Sequence, residues 1–199
     1  MRSIPTGVSY TGRMRTDISV LGVQEYESIA AGLLALDMMV KEAPVEILAC
    51  VTVTPGKYII IITGDEASVD ASLKRARRET GDGIMEELFI PNLHPGVGPA
   101  LLGEAGTGDL DAVGIIESFS VAAGVEAADI CAKEAAVRLL RITFGSGMGG
   151  KATVKFTGPI GEVEAALAAG TRLVESKGRL CRSIVIPRPH EEIGPFLGS

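Results

Sequence analysis

The sequence has no tryptophan, and aromatic residues make up only 4% of it, which leaves little from which to build the stacking platforms of single-stranded nucleic-acid binders. Cationic residues are also in the minority. Lys and Arg number 19 against 25 Asp and Glu, and the net charge of -6 disfavours general affinity for nucleic acid or an anionic membrane. No uninterrupted apolar run approaches the roughly 18 residues of a membrane helix; the longest strong one is Tyr58 to Ile62, so a soluble protein is expected. The segment Met1 to Asp17 carries Arg2, Arg13 and Arg15 with no apolar stretch after them, so it does not read as a secretory leader, and a cytoplasmic location is expected. Cysteine is scarce. Cys50, Cys131 and Cys181 leave one thiol unpaired in any disulfide scheme and show no C-x-x-C spacing, so they read as buried reduced thiols.

What the chain does contain is a repeat. An offset of 92 superimposes Gly22 on Gly114, Glu25 on Glu117, Ser28 on Ser120, Ala30-Ala31-Gly32 on Ala122-Ala123-Gly124, Asp37 on Asp129 and Lys41-Glu42-Ala43 on Lys133-Glu134-Ala135. Two further residues enter the second copy near Gly145 to Gly150, and an offset of 94 then pairs Lys57 with Lys151, Thr63-Gly64 with Thr157-Gly158 and Leu73 with Leu167. At an offset of 96, Ile90-Pro91-x-x-His94 lies over Ile186-Pro187-x-x-His190. The chain therefore reads as an N-terminal extension over 1–17, a domain over 18–104, a linker over 105–111 and a second domain over 112–199. The glycine-rich stretch Gly103 to Asp109 suits a flexible connector.

Within the first copy the pattern predicts a strand near 18–24 and a helix over 28–41 capped by the Ser28 hydroxyl. Strands near 45–52 and 58–63 follow, then a helix over 66–78 and a strand near 87–91. Ile29, Leu33, Leu36 and Val40 fall at i, i+4, i+7 and i+11 of the first helix and predict one buried stripe. Val69, Leu73 and Ala76 predict the buried line of the second helix, and the unalternating Ile59 to Ile62 predicts a strand covered on both faces. Strand, helix, strand, strand, helix, strand is the split βαβ order of a ferredoxin-like α+β domain, here present twice. That fold assigns no function by itself.

The repeated motifs assign one. Gly22 to Glu25 and Gly114 to Glu117, the Ala-rich first helix with Asp-x-x-x-Lys, and the closing Ile-Pro-Arg-Pro-His of Ile186 to His190 together resemble the bacterial microcompartment shell domain in its unpermuted order. Val53 to Lys57 and Phe144 to Lys151 bring the chain nearest to the tandem, single-layer shell proteins of propanediol-utilisation type. The resemblance implies a shell protein, not an enzyme: a flat homotrimer imitating a hexamer, tiled against other shell proteins of a microcompartment in the cytoplasm. It implies a central pore for small polar metabolites, lined by Thr52, Val53, Thr54 and Pro55 from one loop and Gly145, Ser146, Gly147, Met148 and Gly149 from the other. It also places Lys41, Lys133, Arg188 and His190 at the tile edge; Asn92 stands where the first copy would carry the equivalent of Arg188. Glycines are equally what a tight hairpin connection requires, and each Asp-x-x-x-Lys could be a plain i, i+4 ion pair.

Other chemistries fit poorly. Gly145 to Lys151 satisfies G-x-x-x-x-G-K, but Ala152 replaces the hydroxyl that holds Mg²⁺, and 152–157 alternates like a strand where a phosphate loop needs a helix. Propanediol-type relatives can hold an iron–sulfur cluster through a pore-loop cysteine; here that position is Thr54, and Cys50 lies roughly 13 Å back along the strand, so no cofactor or metal is expected. His94 and His190 have no third ligand and read as caps or edge residues. Glu25 and Glu117 read as loop anchors, each within its own domain. A ferredoxin-like module that binds a small metabolite is the alternative function.

Overall fold

A computed structural model describes residues 18–105, 108–145 and 147–197. The expectations placed on residues 1–17, on Gly106 and Thr107 of the connector, on Ser146 and on residues 198–199 lie outside them. The first repeat runs β1 (Leu21–Tyr26), α1 (Ile29–Glu42), β2 (Glu46–Val53), β3 (Lys57–Thr63), α2 (Glu66–Thr80) and β4 (Ile84–Ile90). A short helix, α3 (Val97–Leu102), precedes the second repeat: β5 (Ala112–Ser118), α4 (Val121–Glu134), β6 (Arg138–Phe144), β7 (Ala152–Gly158), α5 (Ile160–Ser176) and β8 (Leu180–Ile186), followed by α6 (Gly194–Leu197). Each repeat forms a four-stranded antiparallel sheet, in the orders β2-β3-β1-β4 and β6-β7-β5-β8. This is the expected α+β ferredoxin-like arrangement, twice.

The residues group into two compact units. One comprises the chain through Leu93 together with Gly145–Gly150, and the other comprises His94–Phe144 with the chain from Lys151 on.

In the first unit, the sheet is held by β3, whose Ile59, Ile60, Ile61 and Ile62 are all buried, as the absence of alternation predicted. Val69, Leu73 and Ala76 of α2 pack with Ile60, Ile62, Tyr26 and Met39 in the core. Ser28 caps α1 by accepting from the Ala31 N–H, and Ser120 caps α4 by accepting from Ala123 N–H at 3.1 Å.

The stripe predicted on α1 is wrong by one residue. Ile29, Leu33 and Val40 are 37%, 52% and 44% exposed and of the four only Leu36 packs, half-buried, against the core, whereas Gly32, Ala35 and Met39 are buried. The helix is thus turned by about 100° from the expected orientation, one residue's worth of helical rotation. The physical cause is Gly32: a Cβ there would stand 2.4 Å from Tyr58 Cδ1, so the missing side chain lets the helix settle on β3 through its small residues. Periodicity counts bulk, and this helix packs by close approach instead.

In the second unit the corresponding helix α4 buries both sets of positions. Val121, Val125 and Ala128 are fully covered, as are Gly124, Ala127 and Cys131. Leu140 and Val113 pack there against Leu197 of α6. The helix α3 was not foreseen. Val97, Ala100, Leu101 and Leu102 are buried, and Gly103 closes the helix at φ 76 while its backbone lies beneath the Arg141 guanidinium.

Candidate functional site

Two loops carry the residues assigned to a pore. The first joins β2 to β3: Thr52, Thr54 and Pro55 are exposed, Val53 is buried, and the Thr54–Pro55 peptide is cis. The second joins β6 to β7. Gly147 and Gly149 are exposed, Met148 is half-buried and Gly145 is buried. Gly147 and Gly149 take φ of +84 and +62 with nothing within 4 Å of where a Cβ would stand, so the backbone conformation and not crowding demands glycine. The glycine loop ends at Gly150, where a Cβ would lie 3.3 Å from Lys57 Nζ at the close of the first loop; both belong to the first compact unit. A strand and no helix follows the glycine loop, so its backbone N–H groups are not those of a helix N-terminus and the phosphate-loop pattern is a coincidence of spacing.

The glycine loop is anchored by charge. Lys151 donates to Glu117 Oε1 at 2.9 Å and to Cys181 Sγ at 3.4 Å, with its ammonium 5.2 Å from the centre of the Phe119 ring. The hydrogen bond from Lys151 holds the Glu117 carboxyl below the usual carboxylate range, and the same contact raises Lys151 above the ordinary lysine value. Glu117 therefore anchors a loop within its own domain, as the sequence suggested. Its partner escaped notice although Lys57 and Lys151 are repeat-related, a signal that was visible.

The residues assigned to the tile edge fall on α1, α4 and the segment after β8. Lys41 pairs with Asp37 at 2.6 Å on the exposed surface, and Lys133 pairs with Asp129 at the same distance. The two pairs differ in depth: the Asp37 side chain is 46% exposed and that of Asp129 only 7%, because Asp129 also accepts from the His94 N–H at 2.7 Å. Arg188 and His190 are exposed. Both histidines cap turns, Nδ1 of His94 accepting from Gly96 N–H and Nδ1 of His190 from Glu192 N–H.

The cysteines are three separate thiols. Burial pushes Cys131 up to about 12, and its S–H donates to the Ala166 carbonyl. Burial likewise pushes Cys50 up to about 11; it lies within β2 and not in the loop, where Thr54 supplies a hydroxyl and no thiol. Among the described residues no group of His, Cys, Asp and Glu could hold a metal ion, and no helix is long and apolar enough to cross a membrane.

Comparison with known proteins bears on the family of the two repeats. Residues 20–93 and 112–189 each match the BMC domain family. The chain is 36% identical over 173 residues to the bacterial microcompartment shell protein PduT of Citrobacter freundii, covering 87% of this chain and 94% of that protein. It is 40% identical over 89 residues to the carboxysome shell protein CsoS1 of Prochlorococcus marinus, covering 44% of this chain and 84% of that one. A crystal structure of a microcompartment protein from Desulfitobacterium hafniense superimposes with a TM-score of 0.82 at 38% identity, over 90% of this chain and 99% of that one.

Proposed function

Because the chain belongs to the BMC domain family, we propose that three copies close into a flat ring whose axis is lined by the two unequal loops, a pore for small polar solutes. The chain is a structural protein of a bacterial microcompartment shell, and its relatives are shell components of microcompartments and carboxysomes. The metabolite-binding alternative is not favoured by any of them.

The observation that carries the ring is the unequal burial of one repeated helix face. Val121, Val125 and Ala132 of α4 are 0%, 0% and 8% exposed, whereas their repeat equivalents on α1, Ile29, Leu33 and Val40, stand open. Ile29, Leu33 and Val40 therefore give α1 an apolar face that a neighbouring copy can cover. Cyclic closure by further copies covers it, and closed rings are the common outcome for soluble homo-oligomers. Two domains per chain make three chains sufficient for a six-domain ring.

At the axis, Thr52, Thr54 and the backbone of Gly147 and Gly149 present hydroxyls, carbonyls and N–H groups beside the larger Pro55 and Met148. A polar solute exchanges part of its hydration for such groups. Because the loops differ in length and chemistry, the opening has three-fold symmetry. Lys41, Lys133, Arg188 and His190 form the contacts between neighbouring tiles. Native mass spectrometry of the purified chain tests the ring: three chains of 20.7 kDa are expected, and a monomer at every concentration overturns it.

A further inference from the structure

Glu117, Lys151 and Cys181 form a cluster that neither the shell role nor the tile contacts use. Cys181 is placed by a β-bulge. Glu117 pairs with Arg182 and Ser118 with Leu180, so Cys181 is the extra residue on β8, and a bulge of this kind re-aims the side chain it carries. Sγ consequently accepts from the Lys151 ammonium at 3.4 Å while the thiol also bonds the Glu117 carboxylate. The thiol is half-buried, unlike Cys131, which is fully enclosed. Phe119 and Glu117 hold the ammonium in place from its other sides. In the first repeat Glu25 and Lys57 recur, but Met85 occupies the bulge, so only the second repeat joins a thiol to this acid and base.

We propose that Cys181 and Lys151 are an oxidative modification site, at which a hydroperoxide couples the thiol to the lysine amine as a reversible sulfur–nitrogen bond. In the first step the sulfur attacks one peroxide oxygen and its proton passes to the Glu117 carboxylate. The S–O bond forms as the O–O bond breaks, and the departing oxygen takes a proton from the Lys151 ammonium and leaves as water, or as an alcohol from an organic hydroperoxide. The sulfur loses two electrons and the peroxide gains them. Lys151 is now a neutral amine beside a sulfenic acid, a species that condenses with nearby nitrogen or thiol nucleophiles. In the second step the amine attacks the sulfur, the S–N bond forms and the S–O bond breaks. The hydroxyl leaves as water with the proton held by Glu117, and one amine proton passes to solvent. A thiol reductant reverses the link.

The bond would fasten the residue between the glycine loop and β7 to β8, across the intervening β5. If that loop lines the pore, as the proposed ring has it, peroxide stiffens one wall of the opening; the cross-link itself does not depend on the ring.

The test is peptide mapping of the full chain after treatment with hydrogen peroxide, with and without the sulfenic-acid trap dimedone. Wild-type protein should yield the Lys151 and Cys181 peptides joined, two hydrogen atoms lighter than their sum, and separated again by dithiothreitol. Lys151→Arg should lose the joined species and accumulate the dimedone adduct at Cys181, and Cys181→Ser should show neither. Melting curves of both variants establish that they fold, and Cys50 and Cys131 serve as internal thiols. A dimedone adduct of equal yield in wild type and Lys151→Arg, with no joined peptide, overturns the proposal, as does a Cys181 that peroxide leaves untouched.

Discussion

Replacing Leu33 by aspartate should dissolve the ring while leaving the chain folded. Leu33 is 52% exposed, so roughly half of its side chain remains to be covered in an assembly. Complete burial of a leucine contributes about 2 kcal/mol, and the uncovered half about 1 kcal/mol per contact. Three such contacts in a closed ring give about 3 kcal/mol, so truncation to alanine should weaken ring formation roughly a hundredfold. Aspartate adds the cost of placing an unpaired carboxylate in an apolar contact, several kcal/mol more in each of them. The assay is sedimentation equilibrium across a dilution series of wild type, Leu33→Ala and Leu33→Asp, with thermal melts of the chain under dissociating dilution. The midpoint of dissociation should move to higher concentration in that order. A Leu33→Asp protein with the wild-type midpoint would show that the open face of α1 takes no part in assembly.

Gly32→Ala, in contrast, should act on the fold, because its methyl must displace the Tyr58 ring that stands 2.4 Å away; a loss of about 1–3 kcal/mol in urea unfolding is expected, and an unchanged midpoint would contradict the close approach. The Glu117 carboxyl is held low by Lys151, so its contribution to stability is present above the ordinary glutamate range and is lost as pH falls through its folded value. The stability difference between wild type and Glu117→Gln should therefore be full near pH 7 and shrink below about pH 4.5, and a difference independent of pH would refute the pairing. Cys131, fully buried with its thiol pushed up to about 12, should resist iodoacetamide at pH 8 in the native chain far longer than half-buried Cys181, as timed by mass spectrometry; equal rates would contradict the burial.

Much of the fold was legible because the sequence states it twice. The Ser28 and Ser120 caps, the buried line of α2 and the apolar run of β3 all follow from local chemistry that the backbone obeys. The orientation of α1 was not legible from bulk periodicity, since Gly32 decides it by letting Tyr58 come near, and the large residues of that helix belong to an outward face. Its exposed apolar stripe, read from sequence as core, is in the proposed ring a surface for a second chain. The helix α3 was hidden in a stretch between Pro95 and Gly103 to which the sequence assigned no element, and its four buried apolar residues are too few to show a period. Of the site, the glycine loop was visible from composition. The bulge that aims Cys181 at Lys151 was not, because one extra residue in a strand leaves no mark on hydropathy.

A cryo-electron-microscopy reconstruction of the purified protein bears most directly on the assembly proposed here. The expected result is a three-fold ring of six domains, with the α1 face of each chain covered by its neighbour and the loops at Thr52–Pro55 and Gly145–Gly149 meeting at the axis. Rings in which those loops lie on the outer rim, or particles of a single chain, would contradict it.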